Sequence, residues 1–480
     1  MTGCISSEGL GPQADPQAAE AMAYGNAIKT AQKDAAWPKQ QWWKALGDPQ
    51  LDNWVGKAVA NSPTMAEAQA RIRNAMAVAG LTAGSSTPKL NVDASIKRHK
   101  WATDNFYGPG ELTGANTWDN SLGLGFSYVL DFWGREKNKT EAALNRAQVT
   151  VAESQASQLS LESQMVKAYI AFSYDYAERD VKQALLKQQQ HILALVKQRL
   201  DGGLGTELDV AQAQAPIPAM EQALEDVNER LALSRNAIAV LAGLSPAAGA
   251  QLKRPAMNLT QAPSIPSVVP LALVGHRPDV VASRWLVASY ARDIDAAKAD
   301  FYPNINLAAS VGLSAVNGNI LNFLDKDKFT YTAGPVLSLP ILDGDTRRDT
   351  LASYSAGYDI AVAKYRQTLL GALKGISDQL IRLHSLDKQQ QLAAKAVAVA
   401  QQSYDLTLKS YQGGLSTYMD VLNTEQNLFT QKLVVEHLVA SRLAAHAALQ
   451  VALGGGLDDD KDSPQAKQMK PTKVAIRHDH

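Results

Sequence analysis

Apolar and polar positions alternate in four stretches of this chain, and after each pair of stretches the period changes. Leu90, Val92, Ala94 and Ile96 alternate with Asn91, Asp93, Ser95 and Lys97. Leu122, Leu124, Phe126 and Tyr128 alternate with Ser121, Gly123, Gly125 and Ser127. A period of two marks a strand with one apolar and one polar face. Asp104-Asn105 and Gly108-Pro109-Gly110 supply a turn-rich loop between them, so residues 89–130 are predicted to form a hairpin. The pattern returns later. Ile305, Leu307, Ala309, Val311 and Leu313 alternate with Asn306, Ala308, Ser310, Gly312 and Ser314. After Asn317-Gly318-Asn319, Phe329, Tyr331, Ala333, Leu337 and Leu339 alternate with Thr330, Thr332, Gly334 and Ser338, which predicts a second hairpin over 304–340.

Beyond each hairpin the period becomes helical. No Gly or Pro interrupts Arg135 to Leu200, and one helix of that length would be roughly 100 Å long. Leu144, Val151, Met165 and Phe172 fall on one seven-residue row, with Ala152, Leu159 and Val166 on its neighbour. Residues 346–412 are predicted as a second long helix. Its rows are Val362, Leu369, Ile376 and Leu383, and Leu351, Tyr358 and Tyr365. Rows sustained over many turns imply coiled-coil packing. Each long helix ends at Gly-Gly and is followed by a return helix, 207–243 and 417–453. Pro216 and Pro218 are expected to kink or break the first of these.

The two halves are copies. Gly202-Gly203-Leu204-Gly205-Thr206-Glu207-Leu208-Asp209-Val210 returns as Gly413-Gly414-Leu415-Ser416-Thr417-Tyr418-Met419-Asp420-Val421, about 210 residues later. A period that long means two large structural repeats, not solenoid units. The chain therefore divides into a leading segment 1–60, a first repeat 61–243, a Pro-rich extended linker 244–275, a second repeat 276–453 and a solvated tail 454–480.

Charge and composition narrow the function. Forty-seven basic and forty-seven acidic residues give zero formal charge, which removes the electrostatic case for nucleic-acid binding. Mean hydropathy is −0.19, and no apolar run reaches the ~18 residues of a membrane-spanning helix. That does not exclude a membrane barrel, whose alternating strands hide their signal. The single cysteine, Cys4, rules out an internal disulfide. Its context, Met1-Thr2-Gly3-Cys4, is similar to the end of a bacterial lipobox, so Cys4 is the expected lipidation site. No signal-peptide apolar stretch precedes it, and the chain reads as mature or truncated. The eight histidines are scattered without metal-ligand spacing, no phosphate-binding loop is present, and no catalytic set stands out. Neither enzyme chemistry nor a cofactor is expected.

Four tilted strands can cross a bilayer but cannot close a barrel, since the smallest closed membrane barrels need about eight. An open edge in lipid leaves backbone groups unpaired. The barrel must be shared, and three copies would give about twelve strands. Here the chain resembles the trimeric outer-membrane factors of the TolC and OprM group, most closely their lipoprotein branch of multidrug-efflux channels. The resemblance rests on Trp42-Trp43-Lys44-Ala45-Leu46-Gly47-Asp48-Pro49-Gln50-Leu51-Asp52, on Arg277-Pro278-Asp279, on Ala299-Asp300-Phe301-Tyr302-Pro303 and on the paired tips. It implies a mixed α and β membrane protein. Its parts would be a trimeric twelve-stranded β-barrel in the outer membrane of a Gram-negative bacterium, a twelve-helix periplasmic α-barrel and an equatorial domain. The implied partners are a periplasmic adaptor (a membrane fusion protein) and an inner-membrane efflux pump of the resistance–nodulation–division or major-facilitator type.

The tips carry the candidate functional residues. Gly203 and Gly414 permit tight turns. With Leu204 and Leu415 they leave an apolar notch for another protein's helical hairpin, and the resemblance assigns that notch, with Thr206 and Thr417, to the adaptor. The resemblance also implies that Asp420 lines the narrowest part of the tunnel, that Asn423 stands at a position acidic in some relatives, and that Asp209 is tied to Tyr411 to hold the tip closed. Ser416 replaces the basic residue of a second tether in those relatives, so a salt-bridge lock is not expected. The alternative for Asp209 and Asp420 is helix capping. Two rival functions remain open on the sequence: a duct for type I protein secretion, and a periplasmic coiled-coil scaffold with no pore.

Overall fold

Each repeat folds as helix, hairpin, long helix and return helix. The structure, a computed structural model, describes residues 6–15, 38, 40–103, 113–257, 276–316 and 320–456. Cys4, loop residues 104–112, Asn317-Gly318-Asn319, linker residues 258–275 and the tail from residue 457 lie outside the described residues. The first copy comprises α1 (Pro49–Asn61), α2 (Pro63–Gly84), β1 (Lys89–Lys100), β2 (Asn116–Leu130), α3 (Arg135–Asp201), α4 (Glu207–Gln214) and α5 (Pro216–Leu241). The second comprises α6 (Pro278–Ala299), β3 (Asn304–Ala315), β4 (Phe329–Ser338), α7 (Thr346–Gln412) and α8 (Tyr418–Ala452). None of these helices is long and apolar enough to cross a membrane.

The residues group into two compact units, and each draws on both repeats. The first holds Met1–Pro16, Arg71–Thr150 and Ser283–Tyr365; the second holds Gln17–Ala70, Val151–Ala282 and Arg366–His480. In the first unit the strands form one antiparallel sheet in the order β1-β2-β3-β4. Register carries the alternation across all four strands. Val92 faces Leu124, Leu124 faces Val311, and Val311 faces Tyr331. The opposite face runs Asp93, Gly123, Gly312 and Thr330. Leu90, Val92, Phe329, Tyr331 and Leu337 are exposed, so the apolar face has no partner among the described residues. Gly123 and Gly312 are directly paired, and a Cβ on Gly312 would lie 2.4 Å from the Leu122 carbonyl oxygen. Glycine is needed there for close strand approach.

The second unit holds the larger core. Trp42, Trp43, Leu51 and Trp54 pack against Met165, Tyr169 and Phe172 of α3 and Ile238 of α5. Asp48 caps α1 by accepting from the Gln50 N–H at 2.9 Å. Its second oxygen accepts from the Tyr169 hydroxyl at 2.8 Å and the Ala256 N–H at 2.7 Å. The helical rows read from the sequence are inward: Met165, Phe172, Val166, Leu369, Ile376 and Leu383 are all buried.

Two local expectations are refined. Ala215, between α4 and α5, keeps helical angles (φ −57, ψ −36). Pro216 therefore ends one hydrogen-bonded ladder by lacking an N–H and starts the next as its first residue, so the return helix is broken there as expected while the residue before it stays helical. The linker is not extended throughout, because Pro246–Gln251 form a 3₁₀ turn. Gly249 allows it, since a Cβ would sit 2.6 Å from the Arg235 carbonyl oxygen.

Candidate functional site

Both tips are built by the same two devices. At the end of α3, Gly203 N–H donates to Leu200 O at 2.9 Å and Leu204 N–H to Arg199 O at 2.8 Å. At the end of α7, Gly414 N–H donates to Tyr411 O at 3.0 Å and Leu415 N–H to Ser410 O at 2.8 Å. These paired bonds are Schellman motifs, which satisfy the last helical carbonyls and require a left-handed residue. Gly203 (φ 70) and Gly414 (φ 77) supply it. Nothing lies within 4 Å of where a Cβ would be on either residue. The requirement is backbone conformation, and the space beside each glycine is open. Leu204 and Leu415 project from it, with Leu415 86% exposed.

The return helices then start with capping boxes. Asp209 N–H donates to Thr206 Oγ1 at 3.2 Å, while Asp209 Oδ2 accepts from the Thr206 N–H at 2.9 Å and hydroxyl at 2.8 Å. Asp420 N–H donates to Thr417 Oγ1 at 3.3 Å, and Asp420 Oδ2 accepts from the Thr417 N–H at 2.9 Å and hydroxyl at 2.7 Å. Such reciprocal bonds satisfy donors left unpaired at a helix start. Hydrogen bonds from the Thr417 hydroxyl and N–H hold the Asp420 carboxyl below its usual range. Asp420 and Asn423 are both exposed along α8. The capping role foreseen as an alternative is thus what each aspartate does within one chain.

No hydrogen bond joins Tyr411 to Asp209 among the described residues. The described bonds of the Asp209 carboxylate go to Thr206. Tyr411 is held by Arg199 of α3 instead. The guanidinium lies 4.8 Å from the centre of the Tyr411 ring, and Arg199 Nη1 donates to the Tyr411 carbonyl oxygen at 2.9 Å. Arg199 Nη2 also reaches Leu204 O at 3.4 Å. Burial raises the Tyr411 hydroxyl pKa; Arg199 opposes this and the Asp209 charge adds to it. Ser416 donates to Thr407 O at 3.3 Å, a local bond. A cation therefore does join the two long helices at the tip, from a residue that the sequence reading passed over.

Above the turns lies a polar pocket of residues also missed. Gln189 of α3 is fully buried and donates through Nε2 to Ala213 O at 2.7 Å and Tyr418 Oη at 2.6 Å. Gln188 donates to Tyr404 Oη. Glu425 of α8 is buried beside these tyrosines, and its charge contributes to raising the pKa of both. The available signal was the row Val421, Glu425, Leu428, which sets an acid at a core position of α8.

No group of three or more His, Cys, Asp or Glu side chains that could hold a metal occurs among the described residues. Comparison with known proteins gives a consistent match. The outer membrane efflux protein family matches residues 54–244 and 269–455. The fusaric acid resistance protein FusA of Burkholderia cepacia is 37% identical over 474 residues, covering 97% of this chain and 88% of FusA. The pyoverdine export outer membrane protein OpmQ of Pseudomonas aeruginosa is 27% identical over 424 residues, covering 88% of each. Among solved structures, the outer membrane protein VceC of Vibrio cholerae superposes with a TM-score of 0.81 at 30% identity, covering 88% of this chain and 100% of VceC.

Proposed function

Because the chain belongs to the outer membrane efflux protein family, we propose that three copies of it assemble into one passive exit duct of a tripartite efflux system. The observation that carries this reading is the sheet. Its order leaves β1 and β4 as edges, and its apolar face is exposed across all four strands. In lipid such edges must be closed, and copies of the same chain close them with about twelve strands. Trp133 and Tyr302 stack at 4.7 Å just past the ends of β2 and β3, as fits an aromatic girdle at one membrane boundary. Leu370, Ile381, Leu392, Val399 and Leu406 form an exposed apolar stripe on α7. Their intervals of eleven and seven residues suit a seam between long helices of neighbouring copies.

The duct does no chemistry in this reading, and an inner-membrane pump supplies the energy. Gly203, Leu204, Thr206, Gly414, Leu415 and Thr417 receive the helical hairpins of a periplasmic adaptor in the notches at the tips. Three copies of Asp420 form an anionic ring at the constriction, with Asn423 one turn further in, and such a ring attracts cations. Cys4 carries the lipid anchor. The names of the relatives, for fusaric acid resistance and pyoverdine export, support efflux over protein secretion.

Two measurements test the reading. Native mass in mild detergent should give a trimer. The purified protein should form discrete conductance steps in a planar bilayer. A stable monomer without conductance would favour the scaffold instead.

A further inference from the structure

Glu425 lies on α8 on the same row as Val421 and Leu428, both of which pack in the core formed with α3 and α7. It is 0% exposed, and neither carboxyl oxygen has a hydrogen-bond partner among the described residues. One chain buries it completely, so no second copy is needed to remove it from water.

Its surroundings offer no charge to compensate an anion. On α3 the polar neighbours of this pocket are Gln188 and Gln189, and on α4 the contact is Ala213, whose carbonyl is already bonded. On α7 stands Tyr404, influenced in turn by Asp405, which is another acid. On α8 itself Tyr418 is buried, and Asp420 faces solvent. Arg199 of α3 is engaged with Tyr411, and burial is the one cause acting on the Glu425 carboxyl, with no cation beside it. The hydrogen-bond inventory points the same way. Both Nε2 protons of Gln189 are used, and its Oε1 is also buried and unpaired. Three acceptor atoms here, both Glu425 oxygens and Gln189 Oε1, thus have no hydrogen-bond partner, although the Tyr404 and Tyr418 hydroxyls stand in the same pocket. An ionised Glu425 adds nothing to donate, whereas a neutral carboxyl brings one O–H.

We propose that Glu425 is a proton-binding site that sets the packing of α8 at the tip: protonated, it stays seated against α3 and α7; ionised, it leaves the core and loosens the tip. Burial alone pushes its carboxyl up to about 7 from an ordinary 4.5. The direction follows by linkage. The seated state binds the proton more tightly than the released one, so its advantage is complete below the ordinary carboxylate range. It is lost as pH rises through the seated value. Between pH 5 and pH 7 the seated-to-released ratio should fall about 40-fold.

This inference deepens the channel reading and rests on it, and the test separates the two. Trimeric protein carrying Asp420→Asn, which removes the exposed carboxylate from the titration, is measured from pH 5 to pH 8 by planar-bilayer conductance. Hydrogen exchange of residues 418–428, corrected for the intrinsic pH dependence of exchange, is followed in parallel. Conductance and tip exchange should both rise with pH. Adding Glu425→Gln should hold both at their low-pH levels throughout, and Glu425→Asp should restore a pH response. If Glu425→Gln keeps the parent's pH profile, or if tip exchange in the parent does not change with pH, the proton site is wrong. If no conductance appears at any pH, the channel reading fails, while exchange still decides the proton site.

Discussion

Thr417 and Asp420 show how one residue pair can carry two separable jobs. The threonine only caps α8, whereas the aspartate both caps it and presents an exposed carboxylate. Thr417→Ala should therefore weaken the start of α8 by about 1 kcal/mol, read as faster hydrogen exchange at 418–422, and leave cation block of the channel intact. Asp420→Asn should weaken cation block. That effect should shrink at high salt, where Coulomb attraction is screened. Equal cation block in wild type and Asp420→Asn would leave Asp420 as a capping residue alone. The capping was legible in the sequence, because Thr-x-x-Asp after Gly-Gly is a local pattern. Arg199 was not legible. Its partner, Tyr411, is over two hundred positions away in sequence, and no local spacing announces a guanidinium lying over a distant ring.

At the scale of elements, the long helices are joined at the tip through that pair. Arg199→Met removes a cation–π contact and the bonds to the Tyr411 and Leu204 carbonyls. It should loosen the α3–α7 contact by about 1–2 kcal/mol and raise single-channel conductance. Arg199→Lys should recover only part of the contact, since an ammonium lacks the planar fork. Unchanged conductance in Arg199→Met would show that the contact does not gate. In the sheet, Gly312→Val places branched carbons where a Cβ already meets Leu122 O at 2.4 Å. The β2–β3 pairing should separate locally, and the yield of folded trimer on native gels should fall sharply. Normal trimer yield would mean that the strands shift freely at this point. The alternation revealed both hairpins, but not that β2 and β3 pair across the repeat boundary, because strand order is a non-local choice.

For the whole molecule, the repeats and the compact units divide the chain differently. The sequence repeats are consecutive halves, whereas each unit collects corresponding parts of both halves. At the tip the core draws on both halves, with Ile192 and Val196 of α3 beside Tyr404, Tyr411, Val421 and Leu428 of α7 and α8. Cys4 belongs to this scale, since in the proposed assembly its lipid would add to an anchor that the strands supply. Cys4→Ser should remove the added lipid from the intact mass and leave the trimer and its conductance unchanged. A free thiol on membrane-extracted wild type would refute the anchor.

The sequence alone determined the elements: two hairpins from a period of two, two long helices from sustained seven-residue rows, and turns from Gly-Gly followed by Thr-x-x-Asp. Each of these depends on neighbours within a few residues, so a one-dimensional pattern suffices. Tertiary structure decided what meets what. It set the four-strand order, the Arg199–Tyr411 contact, and the local engagement of Asp209 with Thr206 in place of Tyr411. It also decided the burial of Glu425. In the sequence only its place on the row of Val421 and Leu428 marks Glu425 among forty-seven acids, and that row does not say whether the position is buried. Only the packing of α8 against α3 and α7 removes it from water, and a side chain's cost of charging depends on that surrounding medium and not on its place in the chain.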